Sequence, residues 1–292
     1  MTVDLEMAPC CVCDSWKNTE LYSDELNGET PSVDYNFSAH TRKTFRIVKC
    51  SSCGHIYVNP MPNLLDDYIS TEDNVYLASR EQRIHTARKS VSIIRKYVPA
   101  KSHLLDVGCA AGFFLDVAAN EFEVEGLELS KWAADRASKN HTVHRKPLSQ
   151  LNFAERFDII TMFGVIEHFS NSAVEIAAAQ RALKPSGYLV IYTGDVNSIV
   201  ARILRKKWWW YQGMHLQYFS RDSLDLLLKR HGFEIVEHRL HPVYFSLNSL
   251  AQSLARYPIT RPIQFLLNLK PLKRIHVKLE ISGEMLVIAR KI

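Results

Sequence analysis

The chain has 292 residues, 47% of them apolar and 23% charged, with a formal net charge of +5 at neutral pH. That length admits one large domain or two smaller ones with ample material for a core, and the composition excludes a disordered or low-complexity chain. The mild positive balance suits an acidic small molecule or an anionic surface without demanding nucleic acid, and no apolar run reaches the roughly 18 residues of a membrane span.

Met1 to Pro9 holds two acidic residues and no apolar stretch, so no secretory signal is expected there. Most of the six cysteines fall in paired knuckles, which reads as a cytosolic, metal-binding chain rather than a disulfide framework. Cys10-x-x-Cys13 and Cys50-x-x-Cys53-Gly54 can each close a turn that aims two sulfurs at one ion, and four thiolates suit tetrahedral zinc. Cys11 could stand in for Cys10, but only Cys10 and Cys13 keep the two-residue gap. The alternating run Lys43 to Lys49 reads as a strand, so residues 1–62 are expected to form a small zinc ribbon. A module of that size buries too little apolar area to fold unaided, and the metal would supply much of its folding free energy.

Asn59-Pro60-Met61-Pro62 breaks structure and marks a hinge. Residues 63–102 form a helical cap and linker: Ile84, Ala87, Val91, Ile94 and Val98 recur at helical spacing over 79–97, and Tyr68 and Tyr76 are placed to close a pocket from this side.

From residue 103 strands and helices alternate, as in a parallel sheet covered on both faces. The strand 103–109 runs into Asp106-Val107-Gly108-Cys109-Ala110-Ala111-Gly112, a small-residue turn that lets backbone N–H groups approach a ligand. A dinucleotide turn would need glycine at 108, 110 and 113, where the chain has Gly108, Ala110 and Phe113. The next strand, 124–129, ends in Glu128, whose carboxylate can accept two hydrogen bonds from a vicinal diol. These residues by themselves describe a site for a nucleoside. Cys109 has no basic partner nearby in sequence and reads as a packing residue.

Ser130 caps the following helix, and a short strand at 142–144 leads to the loop 146–152. Phe157 to Gly164 is nearly continuous apolar sequence, as for a strand buried on both faces. Ser172-x-x-Glu175 has the pattern of a capping box, and Lys184 to Gly187 ends that helix before a strand at 188–193. Arg205-Lys206-Lys207-Trp208-Trp209-Trp210-Tyr211 reads equally as a stacking and phosphate-binding surface or as a lid packed on the core. Ser220 caps a helix with Leu224, Leu227 and Leu228 inward. Phe233 to His238 and Glu284 to Ala289 read as strands. Between them lies an apolar and basic insertion, 240–279, suited to a helical subdomain or dimer face, or to contact with an anionic membrane surface.

The motif Asp-x-Gly-x-Ala-x-Gly at 106–112, followed by Glu128, resembles the cofactor motif of class I methyltransferases that use S-adenosylmethionine. With Cys10 to Cys53 in front, the chain is similar to the zinc-ribbon-bearing methyltransferases associated with bacterial surface-sugar and polysaccharide pathways. The resemblance implies an α/β, Rossmann-like, seven-stranded and mostly parallel sheet over 103–292. It implies that Asp106, Gly108, Cys109, Ala110 and Gly112 surround the methionine part and that Glu128 and Leu129 hold the ribose. Leu148 and Ser149 are the expected adenine-side contacts, and Phe163 is a further expected cofactor contact. The stretch Val165-Ile166-Glu167-His168 matches the family's V-x-E-H pattern, and His168, Glu167, His215 and Tyr218 are the expected groups at the acceptor.

The expected activity is O-methylation of a sugar, sugar nucleotide or glycan. Rival readings are a phenolic or quinone-like lipid precursor, RNA, and a catalytically silent fold whose ribbon docks a partner. A monomer or homodimer would suit any of them.

Overall fold

The computed structural model describes residues 3–31, 43–246, 276–280 and 283–292. Its N-terminal part comprises strands β1 (Leu5–Glu6), β2 (Asn18–Tyr22), β3 (Ile47–Cys50), β4 (Ile56–Val58) and β5 (Met61–Pro62), followed by helices α1 (Leu65–Ser70), α2 (Asn74–Ala78) and α3 (Arg80–Ile94). The alternating unit then runs β6 (His103–Val107), α4 (Phe113–Ala118), β7 (Glu123–Leu127), α5 (Lys131–Ala137) and β8 (Thr142–His144). It continues through β9 (Phe157–Phe163), α6 (Ser172–Ala182), β10 (Leu183–Gly194), α7 (Ile199–Leu204), β11 (Gln217–Tyr218) and α8 (Arg221–Arg230) to β12 (Phe233–Arg239). A hairpin of β13 (Pro242–Ser246) with β14 (His276–Glu280) precedes the closing strand β15 (Glu284–Lys291).

The seven-stranded sheet has the order β12-β15-β10-β9-β6-β7-β8. Neighbours from β10 through β8 pair in parallel, and β15 is antiparallel to both β10 and β12. This is the α/β, seven-stranded, mostly parallel architecture that the resemblance to class I methyltransferases implies, and the alternating pattern accounts for its parallel part. Strand β9 shows why its sequence is apolar throughout: Ile159 packs on the α3 and α4 side with Val91, Ile94 and Ala118, whereas Ile160 and Met162 face α6 and α8.

The cysteine-rich strands do not form a sheet by themselves. β2, β3 and β4 are joined by β11 from the second half of the chain, in the order β11-β4-β3-β2. Val12, Ile47, Val48 and Tyr57 belong to the same buried cluster as Leu224, Leu227 and Ile160, so one core runs from the knuckles to the large sheet.

Several local expectations are corrected. The helix over 79–97 stops at Ile94, because Val98 precedes Pro99 and is steered away from helical geometry. The strand expected over 103–109 ends at Val107, where Gly108 takes φ +74°, and that expected over 124–129 spans Glu123–Leu127. Asn171, not Ser172, caps α6: its side chain accepts the N–H of Ala173, while the Ser172 hydroxyl donates to the Ile166 carbonyl and Glu175 turns to Ser149. Lys184 to Gly187 form a bulge within β10 rather than a separate stop, with the register against β9 shifting between Leu183 and Tyr188. Of the insertion, 247–275 lies outside the described residues, and so does its apolar and basic run.

Candidate active site

The carboxyl ends of β6, β7 and β9 meet where an open parallel sheet binds its ligands. Gly108 and Gly112 both adopt left-handed backbone (φ +74° and +84°), and a side chain at 108 would overlap Val165. The amides of Gly108 and Cys109 donate to the Leu127 carbonyl at 2.7 and 3.0 Å, tying the turn to the end of β7. Cys109 is buried with Leu115 and Ala137, in the packing role expected of it.

Glu128 is 1% exposed. One oxygen accepts the Ala110 N–H at 2.9 Å, the other accepts the Ser130 N–H at 2.7 Å, and the Tyr68 side chain also bonds the carboxylate. Burial raises its pKa, and those bonds pull against the rise. The N–H groups of Ala110, Ser130 and Leu129 and the Tyr68 side chain together take up the acceptor positions of the carboxylate, so a diol would bind here in place of Tyr68. The donor set and turn fit a nucleoside, whose sugar diol Glu128 could hold.

Helices α1 and α2 lie over this turn. Tyr76 stacks on Phe113 with ring centroids 5.1 Å apart, the Arg83 guanidinium lies 3.9 Å from the Tyr76 ring centre, and the Ser130 hydroxyl donates to the Thr71 carbonyl at 2.9 Å. Both tyrosines that the sequence placed near the pocket thus lie beside it.

Asp106 is 3% exposed, and the Thr161 hydroxyl donates to it at 2.6 Å. Burial raises its pKa from 3.8 to about 7, against the pull of Thr161 and with help from the Glu128 charge. Between those values the folded chain holds a proton that the unfolded chain has released. The resulting stability is complete below pH 3.8 and is lost as pH rises toward 7. The loss expected in the cofactor-free protein is on the order of 4 kcal/mol. Asp106→Asn should flatten this slope relative to wild type in urea midpoints measured from pH 4 to 7.5; parallel profiles would refute the assignment.

At the end of β9, Glu167 is 2% exposed and accepts the Thr193 hydroxyl at 2.9 Å. Burial raises its pKa to about 8. His168 donates from Nδ1 to the Met214 carbonyl at 2.9 Å, and His215 from Nδ1 to the Trp210 carbonyl at 2.7 Å. Their rings meet edge to face, 4.8 Å between centroids. Burial lowers His168 to about 4 and His215 well below the usual imidazole value, so both rings are neutral at physiological pH. Tyr68 lies 6.3 Å from the His168 ring, which links this pair to the Glu128 end of the site.

Other expected residues are placed differently. Tyr218 sits in β11, its hydroxyl donating to the Gln212 carbonyl at 3.3 Å and its ring against Tyr211, so it belongs to the seam with the cysteine module. Leu148 is buried in the main core, and Ser149 spends both its N–H and its hydroxyl on Glu175. Phe163 packs on Phe114 and stacks with His241. The Trp208 to Tyr211 run turns inward, with Trp208 and Trp210 buried, and Lys206 binds Thr44 and Glu25.

Glu284 was not anticipated. It is buried and accepts from the Tyr192 hydroxyl and from the indole N–H groups of Trp209 (3.2 Å) and Trp210 (3.4 Å). The signal available was an acidic residue opening the otherwise apolar strand Glu284 to Ala289.

In the cysteine module, Sγ of Cys10 lies 3.6 Å from that of Cys53, Sγ of Cys13 lies 3.5 Å from that of Cys50, and all four sulfurs fall within 4.8 Å of one another. Zinc–sulfur bonds of about 2.3 Å in a tetrahedron set the sulfurs about 3.8 Å apart, so the cage has the size of a four-thiolate zinc site. Burial raises the Cys50 thiol, but N–H groups of Cys53 and Ser52 outweigh it and draw the pKa down. Cys11 points elsewhere, 3.4 Å from the side-chain oxygen of Gln217.

Residues 79–238 match the profile of a family described as a methyltransferase domain. Over 186 residues the chain is 25% identical to the ubiquinone biosynthesis O-methyltransferase of Cereibacter sphaeroides, covering 55% of this chain and 73% of that protein. Over 108 residues it is 32% identical to the dTDP-3-amino-3,6-dideoxy-alpha-D-glucopyranose N,N-dimethyltransferase of Streptomyces fradiae, covering 34% and 42%. A SAM-dependent methyltransferase from Archaeoglobus fulgidus shares the fold, with a TM-score of 0.53 at 18% identity, over 75% of this chain and 100% of that one. The profile match spans more than half of the chain and contains the glycine turn, Glu128 and the Glu167-His168 pair, and on that ground the protein belongs to the methyltransferase-domain family as an S-adenosylmethionine-dependent methyltransferase.

Proposed function

We propose that the chain transfers a methyl group to a hydroxyl oxygen of a sugar, a sugar nucleotide or a glycan. The observation that carries this reading is the polar character of the acceptor end: Glu167, His168, His215, Tyr192 and Glu284 are gathered there, buried or nearly so, beside Trp210. Tyr192, Glu284 and Glu167 already have partners, but the Nε2 atoms of His168 and His215 can accept from the hydroxyls of a polyhydroxylated acceptor and would be left unpaired by an apolar one. The sugar N,N-dimethyltransferase relative acts on a nucleotide-linked sugar, which supports the class, though its name specifies nitrogen.

Asp106, Gly108, Ala110, Gly112 and Glu128 hold the donor in this reading, and Tyr68 and Tyr76 shield it. The donor supplies a sulfonium-bound methyl for an in-line displacement. The chain's own work is to fix the acceptor oxygen about 3 to 3.5 Å from that carbon and to exclude water. Residues 1–62 act as a zinc ribbon, 63–102 as the cap and 103–292 as the methyltransferase domain, with zinc in the four-cysteine cage.

A second reading, a phenolic quinone precursor, is favoured by the ubiquinone O-methyltransferase relative. Labelled-methyl transfer to a panel of nucleotide sugars, free glycans, dihydroxybenzoates and RNA separates the two. The expected result is label on a sugar hydroxyl, located by NMR. Transfer confined to phenols or RNA would overturn the proposal.

A further inference from the structure

We propose that Glu167, His168 and His215 form a second metal centre, which takes a divalent first-row cation through two imidazoles and one carboxylate.

One ligand atom from each residue lies within 4.8 Å of the other two. The two histidines are already prepared as ligands. Each spends Nδ1–H on a backbone carbonyl, Met214 for His168 and Trp210 for His215, which fixes the tautomer with the lone pair on Nε2. A carbonyl behind the far nitrogen is the usual support for a metal-bound imidazole. Among the described residues neither Nε2 has a hydrogen-bond partner, although His215 is only 8% exposed. Glu167 is 2% exposed, holds the Thr193 hydroxyl, and has no lysine or arginine paired with it among the described residues. Burying a carboxylate without a cation is costly, and an ion between it and the two imidazoles would relieve that cost.

Bonds of about 2.1 Å hold ligand atoms no more than about 4.2 Å apart. The three groups therefore need to draw together by no more than about 0.6 Å on binding. Two nitrogens and one carboxylate suit zinc, cobalt, manganese or ferrous iron and leave coordination positions open, whereas the four thiolates of Cys10, Cys13, Cys50 and Cys53 select zinc. The two sites thus differ in chemistry as well as in place.

The identity of what fills the open positions rests on the proposed function: adjacent oxygens of the acceptor. The cation would then lower the pKa of the acceptor hydroxyl. As the oxygen bonds the methyl carbon and the carbon–sulfur bond breaks to leave a thioether, the hydroxyl proton passes to solvent and the metal keeps its oxidation state.

The test uses the full chain carrying one equivalent of zinc, which the four thiolates take, titrated with Co2+. The expected result is one saturable Co2+ site per chain without thiolate-to-cobalt charge-transfer absorption. Its proton NMR should show two exchangeable, paramagnetically shifted signals, one from each Nδ1–H. His168→Gln and His215→Gln should each weaken binding more than about tenfold. No saturable site, charge-transfer bands only, or binding unchanged in both variants overturns the proposal. The NMR signals decide the matter in wild type even where a variant fails to fold. A cobalt site without methyl transfer to any sugar would leave this centre standing and remove the acceptor reading, and sugar methylation by a chain with no such site would do the reverse.

Discussion

Glu128→Gln is expected to weaken binding of S-adenosylhomocysteine about 100-fold. The carboxylate sits 1% exposed between two donors, the N–H of Ala110 and the N–H of Ser130, and no neutral isostere can satisfy both. Glutamine keeps the shape but turns one acceptor oxygen into an NH2, which must then face one of those N–H groups. The turn that carries Ala110 loses its hold, and the ribose loses a charged acceptor. Hydrogen bonds to charged groups contribute about 1.5–3 kcal/mol each, so the loss of one to the diol alone corresponds to about ten- to 100-fold in affinity, and loosening of the turn adds to it. Isothermal calorimetry reads the effect directly. Affinity within about threefold of wild type would show that the ribose does not sit at Glu128.

Removing the metal from the four-cysteine cage, by a strong chelator or by Cys13→Ser, should unfold the N-terminal sheet and carry the acceptor site with it. A structural zinc site contributes on the order of 10 kcal/mol, comparable with the whole stability of a typical domain. The effect should not stay local, because β11 is both the edge strand of that sheet and the continuation of the segment holding His215. Gln217 pairs with Tyr57 across β4, its side-chain oxygen meets His55 at 2.9 Å, and the Leu216 N–H donates to the Glu167 carbonyl at 2.7 Å. Methyl transfer should fall in step with metal release, while the glycine turn, which is built on β6 and β7, retains cofactor binding longer. Metal release followed with a chromophoric chelator, alongside near-UV circular dichroism and activity, checks this order. An unchanged unfolding midpoint and unchanged activity after complete metal removal would defeat it.

The two sites were legible to different degrees. The cysteine knuckles and the Asp106 to Gly112 turn declare themselves because each is made by residues a few positions apart, where backbone geometry restricts the choice of side chain. The 36 residues between the knuckles did not obscure the pairing, since four thiolates have one common chemistry. The acceptor end was harder. His168 and His215 were both singled out, but nothing in their spacing says that their rings touch, and Tyr218, only three residues from His215, turns toward the seam instead. Ser149 likewise is drawn away by Glu175, a residue that the sequence assigned to a capping box.

What the chain determines locally is therefore the alternation of strands and helices, the left-handed turn at Gly108 and Gly112, the carboxylate at the end of β7 and the four-sulfur cage. Each follows from hydrophobic period, from the sterics of φ or from ligand spacing. The tertiary structure alone decides that β11 completes the cysteine-rich sheet, that Glu284 is buried against Tyr192 and two indoles, and that Glu167, His168 and His215 face one another. Those juxtapositions depend on strand register and core packing between segments tens to hundreds of residues apart, where many pairings bury similar apolar area and only the assembled sheet selects one of them.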